Sequence, residues 1–220
     1  MKSIFIVLLA GAALAAPATA PARAQSSPAP VVVSAVAAGG LKVNLAHLDS
    51  LLVPITVNGR KVLGMAVYAE PDLKQAGKYV LHDAPGEGLY DLDDVARGAI
   101  VYLRDYALTK NPASLEKARG LLDFALAVQA PDGTFYNFVD AQGRINTLGT
   151  TSHPGITFWA ARAVWALSEG IATFQTLDRP YADTLNAALE KVVAQFAADA
   201  AAKKGQTRVL DGVTLPAGLP

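Results

Sequence analysis

Cysteine is absent from this chain of 220 residues. Disulfides, thiolate metal sites and a cysteine nucleophile are thereby excluded, and the redox compartment leaves no mark on the sequence. Net charge is absent too, because 19 Lys and Arg balance 19 Asp and Glu. With no basic stripe to neutralise phosphates, the sequence argues against nucleic acid as a partner. The histidines His47, His82 and His153 are scattered. No metal-ligand spacing, Gly-rich phosphate loop before a helix or Gly-x-Ser-x-Gly elbow occurs. Neither a metal nor a cofactor is expected. The apolar run from Ile4 to Ala16 is short of the ~20 residues a membrane-spanning helix requires.

That run instead reads as part of a leader. Lys2 precedes it, and Ala22-Arg23-Ala24 follows with the small-residue pattern of a cleaved signal peptide. Residues 1–24 are assigned to the signal, because the earlier Ala18-Thr19-Ala20 site would leave Pro21 at the new terminus. The expected location is periplasmic or secreted. Residues 25–50 form a linker and lead-in segment, with a flexible QSSPAP stretch and a short strand expected at Val31–Val36. Residues 51–89 hold a β-hairpin and a loop. Asn58-Gly59 sits between two β-rich runs, a strong hairpin signal, and Pro54 marks the first strand as an edge. Glu70 to Leu89 is rich in Gly, Pro and Asp and reads as a long loop with a strand near Tyr79–Leu81.

Residues 90–220 read as helical. Helices are expected over about Asp93–Leu108, from Asn111-Pro112 to Gln129, from after His153-Pro154 to Thr173, and from Pro180 to Lys204-Gly205. Asn111 followed by Pro112 is a cap with proline at the first helical position. Short connections imply antiparallel helical hairpins. The second and fourth helices carry one apolar stripe each, as surface helices do. The third is apolar nearly all round, with Arg162 and Glu169 its only charges from Ile156 to Ala172, and is expected to be buried. Alternation of buried and half-exposed helices suits an inner and an outer ring. The fold class is therefore mainly α: antiparallel helical hairpins, a partial α/α toroid, preceded by a small β-hairpin segment.

The same topology gathers Glu87–Asp94, Asp132–Asn146 and Thr150–His153 at one end. In YDLDDVARGAIVYLRDY (Tyr90–Tyr106), Asp91 and Asp94 have capping-box spacing, which leaves Asp93 as a spare charge beside a favourable dipole. Arg97 follows Asp93 by four residues and Asp94 by three, the spacing of helix-surface ion pairs. Asp132-Gly133 is a turn, followed by Phe135, Tyr136 and Phe138, which are expected to be exposed. A rim of aromatics and carboxylates suits a sugar, because aromatic faces pack on pyranose rings and carboxylates accept from hydroxyls. A short strand pair is expected around Ala141-Gln142-Gly143. Arg162 is one turn beyond Trp159 and is expected to stack on it, or to pair with a helix-one aspartate or Glu169. The tryptophans equally suit a core, and His153 suits a loop.

Several short motifs, in order, resemble the start of a six-hairpin α/α toroid glycosidase-like domain of secreted bacterial proteins. They are Gly86-Glu87-Gly88, Asp93-Asp94-Val95-Ala96-Arg97, Asp132-Gly133 with Phe135 to Phe138, Thr151-Ser152, and Trp159 with Arg162 to Leu167. The resemblance covers about Gly86–Gly170 and implies action on carbohydrate. Acid–base chemistry would use two carboxylates, ~6.5–9.5 Å apart for inversion or ~5–5.5 Å for retention. Asp93 and Asp94 diverge by about 100° around a helix, so one of them would need a partner from elsewhere. The candidate catalytic residues are Asp93 and Asp94. The candidate substrate-binding residues are Arg97, Asp132, Tyr136, Asn137, Trp159 and Arg162. Two alternatives stay open: a non-catalytic glycan-binding module using Tyr136, Asn137 and Trp159, and a polysaccharide lyase using Tyr136, His153 and Arg97. The family's toroid has six hairpins and this chain has two, so a fragment with background activity is expected. Val101, Leu108 and part of the Trp159–Leu167 surface would then lie bare. Either a homodimer or a chain supplying the missing hairpins would cover them.

Overall fold

The computed structural model of the chain describes residues 43–218. The signal, most of the linker and the strand expected at Val31–Val36 lie outside the described residues. A short helix, α1 (Ala46–Ser50), opens the described part; the sequence suggested only a lead-in there. Strands β1 (Leu52–Val57) and β2 (Arg60–Met65) then pair antiparallel, with Leu52 opposite Met65 and Val57 opposite Arg60. Asn58 and Gly59 turn the chain with φ of 50° and 75°, the left-handed pair that a two-residue hairpin turn requires.

The next stretch departs from expectation. Strand β3 (Tyr68–Pro71) pairs with β4 (Tyr79–His82) as a second hairpin; β4 lies where the sequence suggests a strand, whereas β3 was not expected. Its Pro71 ends a strand opposite Tyr79, a position that needs no further ladder bond. Strand β5 (Tyr90–Asp91) leads directly into α2 (Leu92–Thr109), followed by α3 (Pro112–Ala127). Strand β6 (Phe138–Val139) pairs back onto β5. Helices α4 (Phe158–Leu177) and α5 (Arg179–Ala202) follow, and the hairpin β7 (Thr207–Leu210) and β8 (Val213–Pro216) comes last. The pair expected around Gly143 is a turn closed by a single bridge, Val139 to Ile145.

Caps explain the helix bounds. Asn111 accepts from Ala113 N–H, with Pro112 at the first position. Thr157 caps α4 and accepts from Ala160 N–H. Asp178 ends α4 and caps α5 by accepting from Tyr181 N–H at 3.1 Å, so α4 runs to Leu177 rather than Thr173. Among the described residues, helix accounts for 47 % and strand for 22 %. The chain is therefore helix-rich with small antiparallel hairpins, and "mainly α" is too strong.

Helix α2 packs on α3, α4 on α5, and α2 on α4, while β2 lies on α3. Leu103, Leu121, Leu122, Phe124, Leu167 and Phe174 fill the space between them. Gly170 permits the close approach of α4: a methyl there would meet Leu122 and Leu185 side-chain carbons at 2.8 and 2.9 Å. Helix α4 is not buried all round. Its Trp159, Ala163, Ala166 and Phe174 face the core, but Phe158, Trp165 and Leu177 are exposed, as are Val101 and Leu108 of α2. No helix among the described residues is long and apolar enough to cross a membrane.

Candidate functional site

The site grows from the start of α2. Asp91 is extended (φ −128°, ψ 154°), and its Oδ1 accepts from Asp94 N–H at 2.7 Å. The reciprocal half of the capping box is not made, because the Asp94 carboxylate turns to Arg97 instead. Leu92 N–H is shared between the Asn137 carbonyl at 3.0 Å and its Oδ1 at 3.1 Å. Asn137 Nδ2 donates to the Thr151 carbonyl at 3.1 Å, and Phe138 N–H donates to Ser152 Oγ at 3.1 Å. Glu87 Oε1 accepts from Thr150 Oγ1 at 3.1 Å and Thr151 N–H at 3.0 Å. The segments around Glu87, Asn137 and Thr151 thus meet at the start of α2.

Asp93 lies at the centre of the charges. Arg97 Nη2 donates to its Oδ2 at 2.9 Å. Arg162 Nε, from α4, stands 2.9 Å from its Oδ1. The Arg162 N–H does not aim along that line, so this buried oxygen has an ion-pair partner but no well-directed hydrogen bond. Arg97 Nη2 also bonds Asp94 Oδ1. The Asp93 side chain is 12 % exposed, whereas Arg97 and Arg162 are 49 % and 37 % exposed. The carboxylate is therefore the buried anchor and the guanidinium groups reach solvent.

Burial pushes the Asp91 carboxyl up to about 7, and the negative charge of Asp94 adds to this. Burial also raises Asp94, with Arg97 opposing and Asp93 reinforcing the rise. Partial burial would raise Glu87 as well, but bonds from Thr151 and Thr150 outweigh it and hold the carboxyl below its ordinary range. Separation of neighbouring carboxyl pKa values is the arrangement acid–base chemistry uses.

Other candidates are placed differently. Asn137 is 2 % exposed and both ends of its amide are bonded within the protein, so it stitches the α2 start to the 149–152 loop and is closed to a sugar. Trp159 is buried and donates Nε1 to the Phe135 carbonyl at 3.0 Å; it is a core residue. Phe135 and Phe138 are buried too: Phe135 bridges to Gln129 and Phe138 pairs with Asp91 of β5. The expected aromatic rim is not formed. Tyr136 is half-buried against the core. Asp132 closes its own turn, accepting from Thr134 N–H and Oγ1 at 2.8 and 2.7 Å. Arg162 pairs with Asp93 and Trp159 meets the edge of Phe158, while the arginine beside a tryptophan is Arg104, over Trp165 at 5.4 Å. Glu169 pairs with Arg104 at 3.0 Å. His153 is exposed.

Sequence reasoning missed the weight of Asp91 and Glu87. A charge between two glycines, Gly86-Glu87-Gly88, was the available signal for the second. Among the described residues no cluster of His, Cys, Asp and Glu could hold a metal. Hollows of about 450 and 470 Å³ lie beside β1 and between α3 and α5, away from the aspartates. One of about 350 Å³ is lined by Glu87, Asp140, Arg144, Asn146 and Leu148 and adjoins the site through Glu87.

No family model and no curated protein sequence matches the chain. Among solved structures it is similar to a metagenome-derived glycoside hydrolase family 9 endoglucanase, with TM-score 0.45 and 18 % identity, over 70 % of this chain and 35 % of that one. It is also similar to AaCel9A in complex with cellobiose-like isofagomine, with TM-score 0.42 and 17 % identity, over 77 % of this chain and 38 % of that one. The chain spans less than two-fifths of the length of either. A likeness this distant leaves the site to be argued from its own residues.

Proposed function

We propose that the chain is an exported carbohydrate-active protein of glycoside-hydrolase type, periplasmic or secreted, with its sugar site at the start of α2. The observation that carries this is the pair of carboxyls at the start of α2, Asp91 accepting from the Asp94 backbone N–H and the Asp94 carboxylate turned to Arg97. Burial keeps Asp91 protonated up to about 7. Asp94, less buried, has one oxygen on Arg97 and no protein partner on Oδ2 among the described residues. Asp94 is the carboxylate we assign to substrate. Asp93, held by two arginines, positions them. Arg97 and Arg162 are the exposed donors, and Tyr136 lines the same end.

Non-catalytic glycan binding is the second reading, favoured by the engagement of Asp93 on both oxygens, which leaves fewer carboxylates free for catalysis. The lyase reading needs Tyr136 or His153 as base beside Arg97. Products separate the three. The purified chain and its Asp94→Asn variant are incubated with plant and bacterial polysaccharides. New reducing ends that vanish in Asp94→Asn support hydrolysis. Unsaturated ends absorbing in the near ultraviolet support a lyase. Binding with neither product supports a binding module. Absence of binding and turnover across the panel would refute the carbohydrate reading.

A further inference from the structure

We propose that the glycan taken at this end is acidic, with Arg97 and Arg162 together receiving the carboxylate of a uronate residue. The inference rests on the carbohydrate reading above and names its substrate class.

An arginine has five N–H donors in a planar fork. Arg97 directs Nε to the Asp93 carbonyl at 3.4 Å and Nη2 to the carboxylates of Asp93 and Asp94. Its Nη1 meets no acceptor among the described residues. Arg162 sets Nε against Asp93 Oδ1, and neither of its terminal nitrogens meets an acceptor there. One carboxylate therefore holds two guanidinium groups, one on each oxygen, and fixes them within a few ångströms of each other. A single arginine, bound bidentately, would satisfy Asp93 with better geometry. The second leaves Oδ1 with a misdirected N–H, yet it sets unused donors from two helices at one place.

Both side chains reach solvent, at 49 % and 37 % exposure, so a ligand can meet those donors. Planar forks with parallel N–H bonds match a carboxylate better than they match sugar hydroxyls. The charges of Asp93 and Asp94 lower the mutual repulsion of the two cations, so the pair stands ready before the ligand arrives. The sequence carries the Asp93–Arg97 spacing and offers Arg162 as a partner for a helix-one aspartate or Glu169; the packing of α2 on α4 selects Asp93.

The test is titration calorimetry on the purified chain with oligogalacturonate and oligomannuronate, each beside its carboxyl-reduced counterpart. The acidic form is expected to bind about tenfold or more tightly than the reduced form. Arg162→Gln should erase most of that difference. Arg162→Lys, which keeps the charge and loses the fork, should fall between the two. Circular dichroism checks that each variant is folded; if Arg162→Gln does not fold, Arg97→Gln and Arg162→Lys provide the comparison. Equal binding of the acidic and reduced forms overturns the proposal, as does wild-type preference in the arginine variants. Binding of neutral sugars alone removes this inference and leaves the carbohydrate reading standing. Binding of neither removes both.

Discussion

Asp91→Asn isolates one carboxyl whose titration should set the pH dependence of folding. Asn caps a helix as well as Asp does, so the bond from Asp94 N–H survives. The protonated acid and the amide have nearly the same shape, so the buried site is not emptied. What changes is the charge. Folding raises the Asp91 carboxyl from its ordinary 3.8 to about 7. A carboxyl raised by folding binds its proton more tightly in the folded chain. Its contribution is therefore fully present below about 4 and is lost as pH climbs through about 7. The slope is about 1.4 kcal/mol per pH unit, so the wild type should lose about 3 kcal/mol relative to Asp91→Asn between pH 5 and pH 8.

Thermal melts at fixed ionic strength read this directly. For a domain of this size the gap corresponds to roughly 6 to 12 °C in Tm. Asp94 and Asp123, both raised by burial, slope the same way in both proteins, so the difference between the two curves belongs to Asp91. Hydrogen bonds outweigh partial burial at Asp49, Glu87 and Asp140, and Arg119 leads the stabilisation of Asp178. Those four carboxyls are lowered, so their contributions are complete above about 4.5 and are lost only in acid. Parallel Tm curves for wild type and Asp91→Asn from pH 5 to pH 8 would refute the reasoning and place Asp91 in contact with water or another donor.

Other outcomes follow from the same geometry. Asp94→Asn should abolish turnover or weaken sugar binding with little change in Tm, and a large loss of Tm instead would make Asp94 structural. Gly143→Ala should destabilise by about 2 kcal/mol or more, because φ there is 80° and the added carbon would lie 2.0 Å from the Thr56 carbonyl oxygen; urea unfolding measures it, and a neutral result would mean that the turn does not rest on β1. The exposed Val101, Leu108 and Trp165 should drive self-association, so light scattering should show the wild type heavier than a monomer and Leu108→Lys shifted toward one. A monodisperse wild-type monomer would count against it.

How much of this was legible depends on whether a feature is local. Helices α2, α3 and α5 could be read because Asp91, Asn111 and Pro180 announce their starts and apolar spacing carries them on, while α4 showed in its apolar run and not in its cap, Thr157. Two hairpins differed in visibility for a local reason as well. Asp211-Gly212 and Asn58-Gly59 have nearly the same φ pair, and both join two short strands. Asp132-Gly133 has the same letters, but only its glycine has positive φ, and its aspartate binds Thr134 instead of making a strand turn. The two letters alone therefore do not announce a hairpin; at Asp211-Gly212 the short runs on either side pair as β7 and β8. Burial of Phe138 could not be read at all, since it sits in β6, which finds β5 some 47 positions earlier.

The role of the third aspartate lies between these cases. Successive residues on a helix turn by about 100°, so Asp93 and Asp94 diverge. That much is in the sequence. Although Arg97 reaches both, Arg162 is paired with Asp93. Which of the two faces α4 is fixed by the core stripe of α2, where Val95, Ala96, Ala99 and Leu103 are buried. The side chain nearer that stripe belongs to Asp93, which is 12 % exposed against 27 % for Asp94. Asp93 therefore reaches Arg162 across the helix pair, and Asp94 is turned outward with an oxygen to spare. The division of labour between an anchoring carboxylate and a ligand-facing one follows from helix geometry once α2 has been set against α4. A register shift of one residue in α2 would exchange the roles, turning Asp94 inward toward Arg162 and Asp93 outward.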